Sequence, residues 1–390
     1  MKRNTVRVLG GIGLALALAM SACGTTSTGN NSGSGSSGGD KCEGKFGFFG
    51  ALSGSNASII LPSRDGARLA VEQFKQKNPD CKVEMVEFDS EGDGGKAAPF
   101  AAKVATDQTF LAVLGGGFSG ETRQTKKTFD EAGVVMVSAS ATATDLTTKD
   151  QAKVFHRVVG YDDVQGEAAG RYLKDVAKAQ KVFVVDDGTT YGAPLGDRVK
   201  ETLGSLVIGS DKVQEKQTDF AATVSKVKGA APDAVFYAGY AAEAGPFLKQ
   251  LRSAGVTATF VGGDGLYGAD FPVAAGDQAE GAVVTCPCLP ADKAKGTFAA
   301  DFKTKFGTDP GAYSAEGFDA ANVILDAFKA GKTTRKDVLD FVNAYDKEGI
   351  TKQIKFDEKG DIEKDKVVIW TYKIVGGALV ADAEIPKAAG

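Results

Sequence analysis

The sequence predicts an α/β protein of two doubly wound lobes with parallel sheets, joined by a hinge around a cleft. Three observations lead there. Short continuous apolar runs alternate with helix-length segments in a βα rhythm, as strands buried on both faces of a parallel sheet require. That rhythm restarts about halfway along the chain, and the residues after the N-terminal segment exceed what one hydrophobic core usually supports. The C-terminal third then holds too few strand-like runs for another sheet, so its elements return to complete the first two lobes, and such crossovers create a hinge.

Taken in order, the first series reads as strands at Phe46–Ala51, Val83–Phe88, Phe110–Leu114 and Val134–Val137. Helical stretches at Pro62–Lys77, Gly95–Thr106 and Glu121–Ala132 separate them. A second series opens at Val154–Val158 and continues with Lys181–Val185, Leu206–Ile208, Ala234–Tyr237 and Thr259–Val261. Its helices are expected near Val164–Lys178, Leu195–Leu203, Phe220–Val227 and Glu243–Ser253. Helices follow at Ala291–Phe306, Ser314–Ala330 and Lys336–Tyr345, then strands at Gln353–Phe356, Val367–Tyr372 and Leu379–Ala381. The expected division is 45–158 plus 288–362 for one lobe and 159–287 plus 363–383 for the other.

Composition narrows the function. The 390 residues carry 46 Lys and Arg against 50 Asp and Glu, with no basic block beyond the N-terminus, so no electrostatic footprint for nucleic acid exists. One histidine, His156, rules out a His-clustered metal site and leaves a single imidazole for any catalytic triad. No metal and no cofactor are expected.

Residues 1–22 read as an export segment: Lys2, Arg3 and Arg7 precede the apolar run Val8–Met20, which is too short to span a bilayer as a stable helix. The run ends in Met20-Ser21-Ala22-Cys23, which resembles the bacterial lipoprotein box and implies lipidation at Cys23; the competing reading is a plain secretory signal. From Cys23 to Gly44 a Gly/Ser-rich tether of roughly 25 Å reach follows. The expected body is therefore extracytoplasmic and touches the cell membrane only through its lipid.

Export makes the other cysteines disulfide candidates. Cys42 and Cys81 each precede a strand, so adjacent parallel strands would set their thiols side by side. Cys286 and Cys288, flanking Pro287, either close a small ring or stay reduced.

Several catalytic or cofactor signatures nearly appear and fail. Gly115-x-Gly117-x-x-Gly120 opens a helix after a strand, but the next strand ends in Ser138-Ala139-Ser140 with no acid for a ribose. Gly331-Lys332-Thr333 lacks the first glycine of a phosphate loop. Asp89 to Gly94 begins like a calcium loop, yet Phe100 stands at the twelfth position, so a polar strand-to-helix turn is the better reading. Ser119 lacks the second flanking glycine of a nucleophile elbow, and His156 sits in a strand-like run where a structural histidine is the simpler reading.

Polar residues at the carboxyl ends of strands remain, where open α/β sheets bind ligands. Ser119 stands at a helix start, whose free N–H groups favour a carboxylate. Ser138, Ser140 and Thr142 follow the fourth strand; Asp186, Asp187 and Tyr191, then Tyr240 and Glu243, then Asp264 follow strands of the second lobe. Singly these are the residues of caps and turns. Together they oppose an acid to hydroxyls and N–H groups across a cleft, which suits a zwitterion.

The runs Gly50–Gly54, Val113–Ser119, Ser138–Leu146, Phe155–Val159, Val185–Gly192, Phe236–Tyr240, Gly263–Gly265 and Phe356–Asp361 resemble the leucine/isoleucine/valine-binding family of type I solute-binding proteins. The resemblance implies a flytrap of two lobes joined by three crossing strands, working as a monomer. It implies that Ser119, Ser140 and Thr142 hold a ligand carboxylate, that the last two and Asp264 meet its ammonium, and that Tyr191 and Tyr240 close the site. Ile59, Phe118 and Tyr313 would wall the side-chain pocket. The implied function is capture of an amino acid or amino acid-like ligand for the permease of an ABC importer, without catalysis. Two other readings stay open: a sensing receptor of the same fold, and a secreted amide hydrolase using Ser119. Urea, a short amide or an aromatic acid also remain open as ligands.

Overall fold

A computed structural model describes residues 41–149 and 152–387. The export segment, Cys23 and the tether up to Asp40 lie outside the described residues.

The first sheet is parallel throughout: β1 (Glu43–Gly50), β2 (Lys82–Asp89), β3 (Phe110–Leu114), β4 (Val135–Ser138) and β5 (Phe155–Arg157), in the order β2-β1-β3-β4-β5. The intervening helices are α1 (Ala57–Lys77), α2 (Gly94–Thr106), α3 (Ser119–Ala132) and the short α4 (Asp145–Thr148). All five residues of β3 are buried, as a central strand covered on both faces demands. β1 begins at Glu43, so the expected tether ends two residues earlier than Gly44. β1 and β2 run in register from Glu43 opposite Lys82, which places Cys42 beside Cys81, and these two form a disulfide.

The second sheet holds β6 (Val182–Asp186), β7 (Val207–Lys212), β8 (Ala234–Ala238), β9 (Thr259–Gly262) and β10 (Val283–Cys286), all parallel. Its helices are α5 (Asp162–Arg171), α6 (Gly192–Leu203), α7 (Ala221–Ala230), α8 (Ala241–Ser253) and α9 (Asp270–Ala275). Three further helices, α10 (Phe298–Phe306), α11 (Ser314–Lys329) and α12 (Arg335–Asn343), and the small hairpin of β11 (Asp346–Glu348) and β12 (Gln353–Lys355) come next. The chain then adds β13 (Trp370–Val375) and β14 (Ala378–Glu384) antiparallel to the edge of the second sheet, giving the order β14-β13-β10-β9-β8-β6-β7.

Three sequence expectations change. The run at Val154–Val158 does not open the second series; β5 pairs with β4 and finishes the first sheet. α1 starts at Ala57 and carries Pro62 inside it, where a helix start at Pro62 was expected. Burial of Ile59 and Ile60 offsets the backbone bond that the proline removes. β10 escapes the sequence reading, and the second sheet is mixed because a hairpin returning at its edge pairs antiparallel.

The chain passes between the two sheets three times: after β5, after β10 and before β13. These passages touch one another. A Cβ on Gly160 would lie 2.5 Å from Val367 Cγ1 and 3.0 Å from Pro287 Cβ, so only glycine lets the three segments close up. Cys286 and Cys288 bracket Pro287 and are joined by a disulfide.

α11 packs on α1 beside the first sheet. A Cβ on Gly66 would sit 1.9 Å from Ser314 O, and one on Gly317 2.1 Å from Ser63 O, so these helices meet at backbone contact. That crossing brings the starts of both helices, with Ile59 and Tyr313, to the space between the sheets.

Candidate functional site between the two sheets

At the carboxyl ends of both sheets lies a narrow, partly enclosed cavity of about 10 Å³ lined by Ile59, Gly117, Phe118, Ser119, Ser140, Thr142, Tyr191, Tyr240, Asp264, Gly265 and Tyr313. All nine residues assigned from the sequence to ligand contact or closure therefore stand around one cavity. With room for about one water molecule, the cavity must widen to admit any larger guest.

The first-sheet side is built to take an anion. Phe118 precedes α3, and its N–H is engaged by Glu121 Oε1 at 2.9 Å. The next N–H groups, of the first helical turn, have no carbonyl four residues behind them within the helix. Ser119 Oγ accepts from Ala143 N–H at 3.1 Å, which leaves its proton to donate. Ser140 Oγ donates to Gly117 O at 2.7 Å and so offers lone pairs rather than a proton.

The loop carrying Ser140 and Thr142 is held from behind. Ser138 Oγ donates to Gly116 O at 2.8 Å and accepts from Ala141 N–H at 3.0 Å. The guanidinium of Arg157, fully buried, donates to Ala141 O at 3.1 Å and Ala143 O at 2.9 Å while pairing with Asp361 at 2.5 Å. The carbonyl between them, Thr142 O, accepts from Asp162 N–H at 2.9 Å. The loop's carbonyls are thus turned toward the protein.

The second-sheet side supplies a carboxylate. Asp264, just after β9 and 4% exposed, accepts from Tyr191 Oη at 2.7 Å through Oδ1 and from Tyr313 Oη through Oδ2. Tyr191 Oη also accepts from Gly265 N–H at 3.0 Å, which fixes its direction. Burial raises the Asp264 carboxyl above its usual range, and the two tyrosine hydroxyls temper the rise. Burial, then the charge of Asp264, drives the hydroxyls of Tyr191 and Tyr313 well above theirs, so both stay protonated as donors. Phe118 meets Tyr240 edge to face, with ring centroids 5.2 Å apart, across the cavity.

Other residues singled out from the sequence work elsewhere. Asp187 holds the turn through Thr189, and Asp186 accepts from Gly188 N–H at 3.1 Å. Glu243 accepts from Lys216 N–H at 2.6 Å. Asp89 ties Leu52, Ser53 and Glu91 together at the turn that only resembled a calcium loop. His156 is locked between Val154 O at 3.2 Å and Asn343 Oδ1 at 2.8 Å, with both ring nitrogens engaged. Among the described residues no group of three His, Cys, Asp or Glu could hold a metal ion.

Two residues behind the site escaped sequence reading: Arg157 stands there only within a resembling run, and Asp162 not at all. An Asp-Asp pair opening a helix reads as charge favouring the helix dipole, and nothing in the sequence separates the buried member from the half-buried one.

Comparison with known proteins identifies the family and the fold. The model of the family described as periplasmic binding protein matches residues 43–370. The leucine-, isoleucine-, valine-, threonine- and alanine-binding protein of Pseudomonas aeruginosa is 29% identical over 84% of this chain and 89% of its own length. The Leu/Ile/Val-binding protein of Escherichia coli is 28% identical over 86% and 92%. Among solved structures, the branched-chain amino acid transporter substrate-binding protein LivJ of Streptococcus pneumoniae, in complex with isoleucine, superposes with a TM-score of 0.80 at 25% identity, covering 88% of this chain and 98% of that one.

Proposed function

Because the chain belongs to the periplasmic binding protein family, we propose that it captures a small amino acid between its two lobes and delivers it to the permease of an ABC importer. The observation that carries this is the opposition across one small cavity of an anion-binding helix start, with the Ser119 hydroxyl, and the Asp264 carboxylate. An α-carboxylate suits the first and an α-ammonium the second. Ile59, Phe118, Tyr240 and Tyr313 leave an apolar and aromatic wall for an aliphatic side chain, as in leucine, isoleucine or valine.

Binding is the whole task in this reading. Ser119 Oγ is bonded to a backbone N–H, and the chain's one imidazole has both nitrogens engaged elsewhere, so no imidazole base is set against that hydroxyl. Ligand contacts from both sheets favour the closed form, and that differential affinity drives closure about the passages at Gly160, Pro287 and Val367. The proposed body is monomeric and extracytoplasmic, held at the membrane through lipid on Cys23 after removal of residues 1–22, with lobes of 45–158 plus 288–362 and 159–287 plus 363–383.

A thermal-shift screen against the common amino acids and short amides tests the proposal, because a ligand that binds only the native state raises the midpoint. A rise with branched-chain amino acids supports it. A rise with amides or aromatic acids alone would replace the ligand class, and turnover of a model amide that vanishes in Ser119→Ala would replace binding by hydrolysis.

A further inference from the structure

Glu121, fully buried in the first turn of α3, lies directly behind the loop that borders the cavity. Its Oε1 accepts from Phe118 N–H at 2.9 Å, and its Oε2 accepts from Ser90 Oγ. A Cβ on Gly117 would stand 3.2 Å from Glu121 Oε1, and one on Gly116 2.8 Å from Glu121 Cγ. Gly117, Phe118 and Ser119 form the cavity wall on the other side of the same loop.

The carboxyl therefore competes with any anion held in the cavity. Both draw on one helix start, whose first N–H groups favour negative charge. A second carboxylate arriving beside an ionised Glu121 would meet like charge in a site shut away from water. A proton on Glu121 removes that conflict. The capping bond survives it, because one oxygen of a carboxylic acid still accepts from Phe118 N–H while the other carries the proton.

Charges on the packed elements do not hold Glu121 ionised. The turn after β2 brings the acids Asp89 and Glu91, and Asp93 precedes α2, whose Lys96 pairs with Glu91. On α3, Arg123 pairs with Asp145, and Lys126 donates to Leu146 O and Lys149 O. α1 reaches the loop through Ile60, while its Arg64 and Arg68 pair with Asp65 and Glu87. Across the cavity stands another acid, Asp264. Burial raises the Glu121 carboxyl to about 7 against the donors Ser90, Phe118 and Gly117, and the charge of Asp89 adds to the rise. Its charge thus changes near neutral pH.

We propose that Glu121 is the positioning residue of the anion site and couples it to protons: it sets the loop of residues 117–119 through Phe118 N–H, and a ligand carboxylate arriving at that helix start draws a proton onto it from solvent. Capture is then tighter in acid surroundings and weakens as the pH rises past neutrality. The inference rests on the amino acid reading and adds its proton dependence.

The test is calorimetry with L-leucine on wild type and Glu121→Gln between about pH 5.5 and 8.5, in buffers of different ionisation enthalpy, so that protons taken up are counted. Gln keeps an acceptor for Phe118 N–H and cannot titrate. Asp264 and Asp187, whose carboxyls burial also raises, are common to both proteins, so the difference between the two isolates Glu121. Near pH 7 wild type should take up more protons per ligand bound than the variant. Its affinity relative to the variant should fall about tenfold from the acid to the alkaline end, the effect of like charge on a neighbouring carboxyl. Equal proton counts, or an affinity ratio that stays constant with pH, overturns the proposal. Should Glu121→Gln fail to fold, Ser90→Ala takes its place: without that donor the carboxyl titrates higher, so the fall in affinity must move to higher pH, and an unmoved profile overturns the proposal. If wild type binds none of the common amino acids, the capture reading falls. Isovalerate then decides Glu121: an unfolding midpoint raised more at pH 6 than at pH 8 in wild type, and equally at both in Glu121→Gln, keeps the proposal, and any other pattern removes it.

Discussion

The hydroxyl of Tyr313, at the head of the helix that packs against the first sheet, donates to Asp264 Oδ2 at the end of a strand of the second. The bond ties the two halves of the molecule together through the cavity itself. Tyr313 pays for this position with a left-handed φ of 54°, a conformation that a bulky residue keeps only where its surroundings over-determine it. A second tie lies at the rim, where Asp270 N–H donates to Ser58 Oγ at 3.3 Å.

Tyr313→Phe removes the cross-cavity donor while keeping the ring. A hydrogen bond to a charged acceptor contributes about 1.5–3 kcal/mol, so the closed form should lose roughly ten- to 100-fold in population. Small-angle scattering of the ligand-free variant should show a larger radius of gyration than wild type, and calorimetry should show weaker L-leucine binding.

Ser119→Ala deletes the hydroxyl whose proton is free to meet a ligand carboxylate. L-leucine affinity is expected to fall by about 1.5–3 kcal/mol, the range for bonds to charged groups. The empty variant should lose about 1–3 kcal/mol of stability, because the buried Ala143 N–H is left without its acceptor. Equal affinity in calorimetry would move the carboxylate site elsewhere.

Glu121 gives the fold a pH dependence. Fully buried beneath the α3 start and bonded to Ser90 Oγ and Phe118 N–H, its carboxyl is pushed by burial from 4.5 up to about 7. The folded state then holds a proton that the unfolded chain releases, so this contribution is complete below about pH 4.5 and is lost as pH rises through 7. It is on the order of 3 kcal/mol. Denaturant unfolding at pH 5.5 and 8 should show wild type losing stability over that interval and Glu121→Gln losing less. The Asp187 carboxyl, raised by burial to about 7, acts in the same direction.

The two disulfides should differ in weight. Cys42 and Cys81 are 39 residues apart, and a loop of that length predicts about 4 kcal/mol of stabilisation; Cys286 and Cys288, two residues apart, constrain the unfolded chain by only about 1.5 kcal/mol. Denaturant midpoints of the paired Cys→Ser variants should rank accordingly. A comparable loss at Cys286 and Cys288 would point to native-state packing at the hinge, where Tyr372 Oη donates to Cys288 O at 3.3 Å.

Most strands were legible because a strand buried on both faces, such as β3 or β8, writes itself as an unbroken apolar run. β10 was not, since Val283–Cys286 sits among Gly, Pro and Cys residues that read as a turn, and its place depends on pairing with β13 far along the chain. α1 hid its first turn because Pro62 signals a helix start locally, whereas the burial of Ile59 and Ile60 ahead of it is a tertiary fact.

The nine cavity residues were found through their positions after strands and through resemblance of short runs, both one-dimensional signals. Their partners were not. That Ser140 donates to Gly117 and that Tyr313 reaches Asp264 are facts of distance between segments far apart in sequence.

Alone, the sequence determined the layered architecture, the cleft and which residue types border it, because hydrophobic period and strand-end chemistry are local properties of the chain. Only the tertiary structure decided which hydroxyl is free to donate and which acid is already answered. Hydrogen bonding and charge burial depend on what packing brings within about 3 Å and what it shuts away from water.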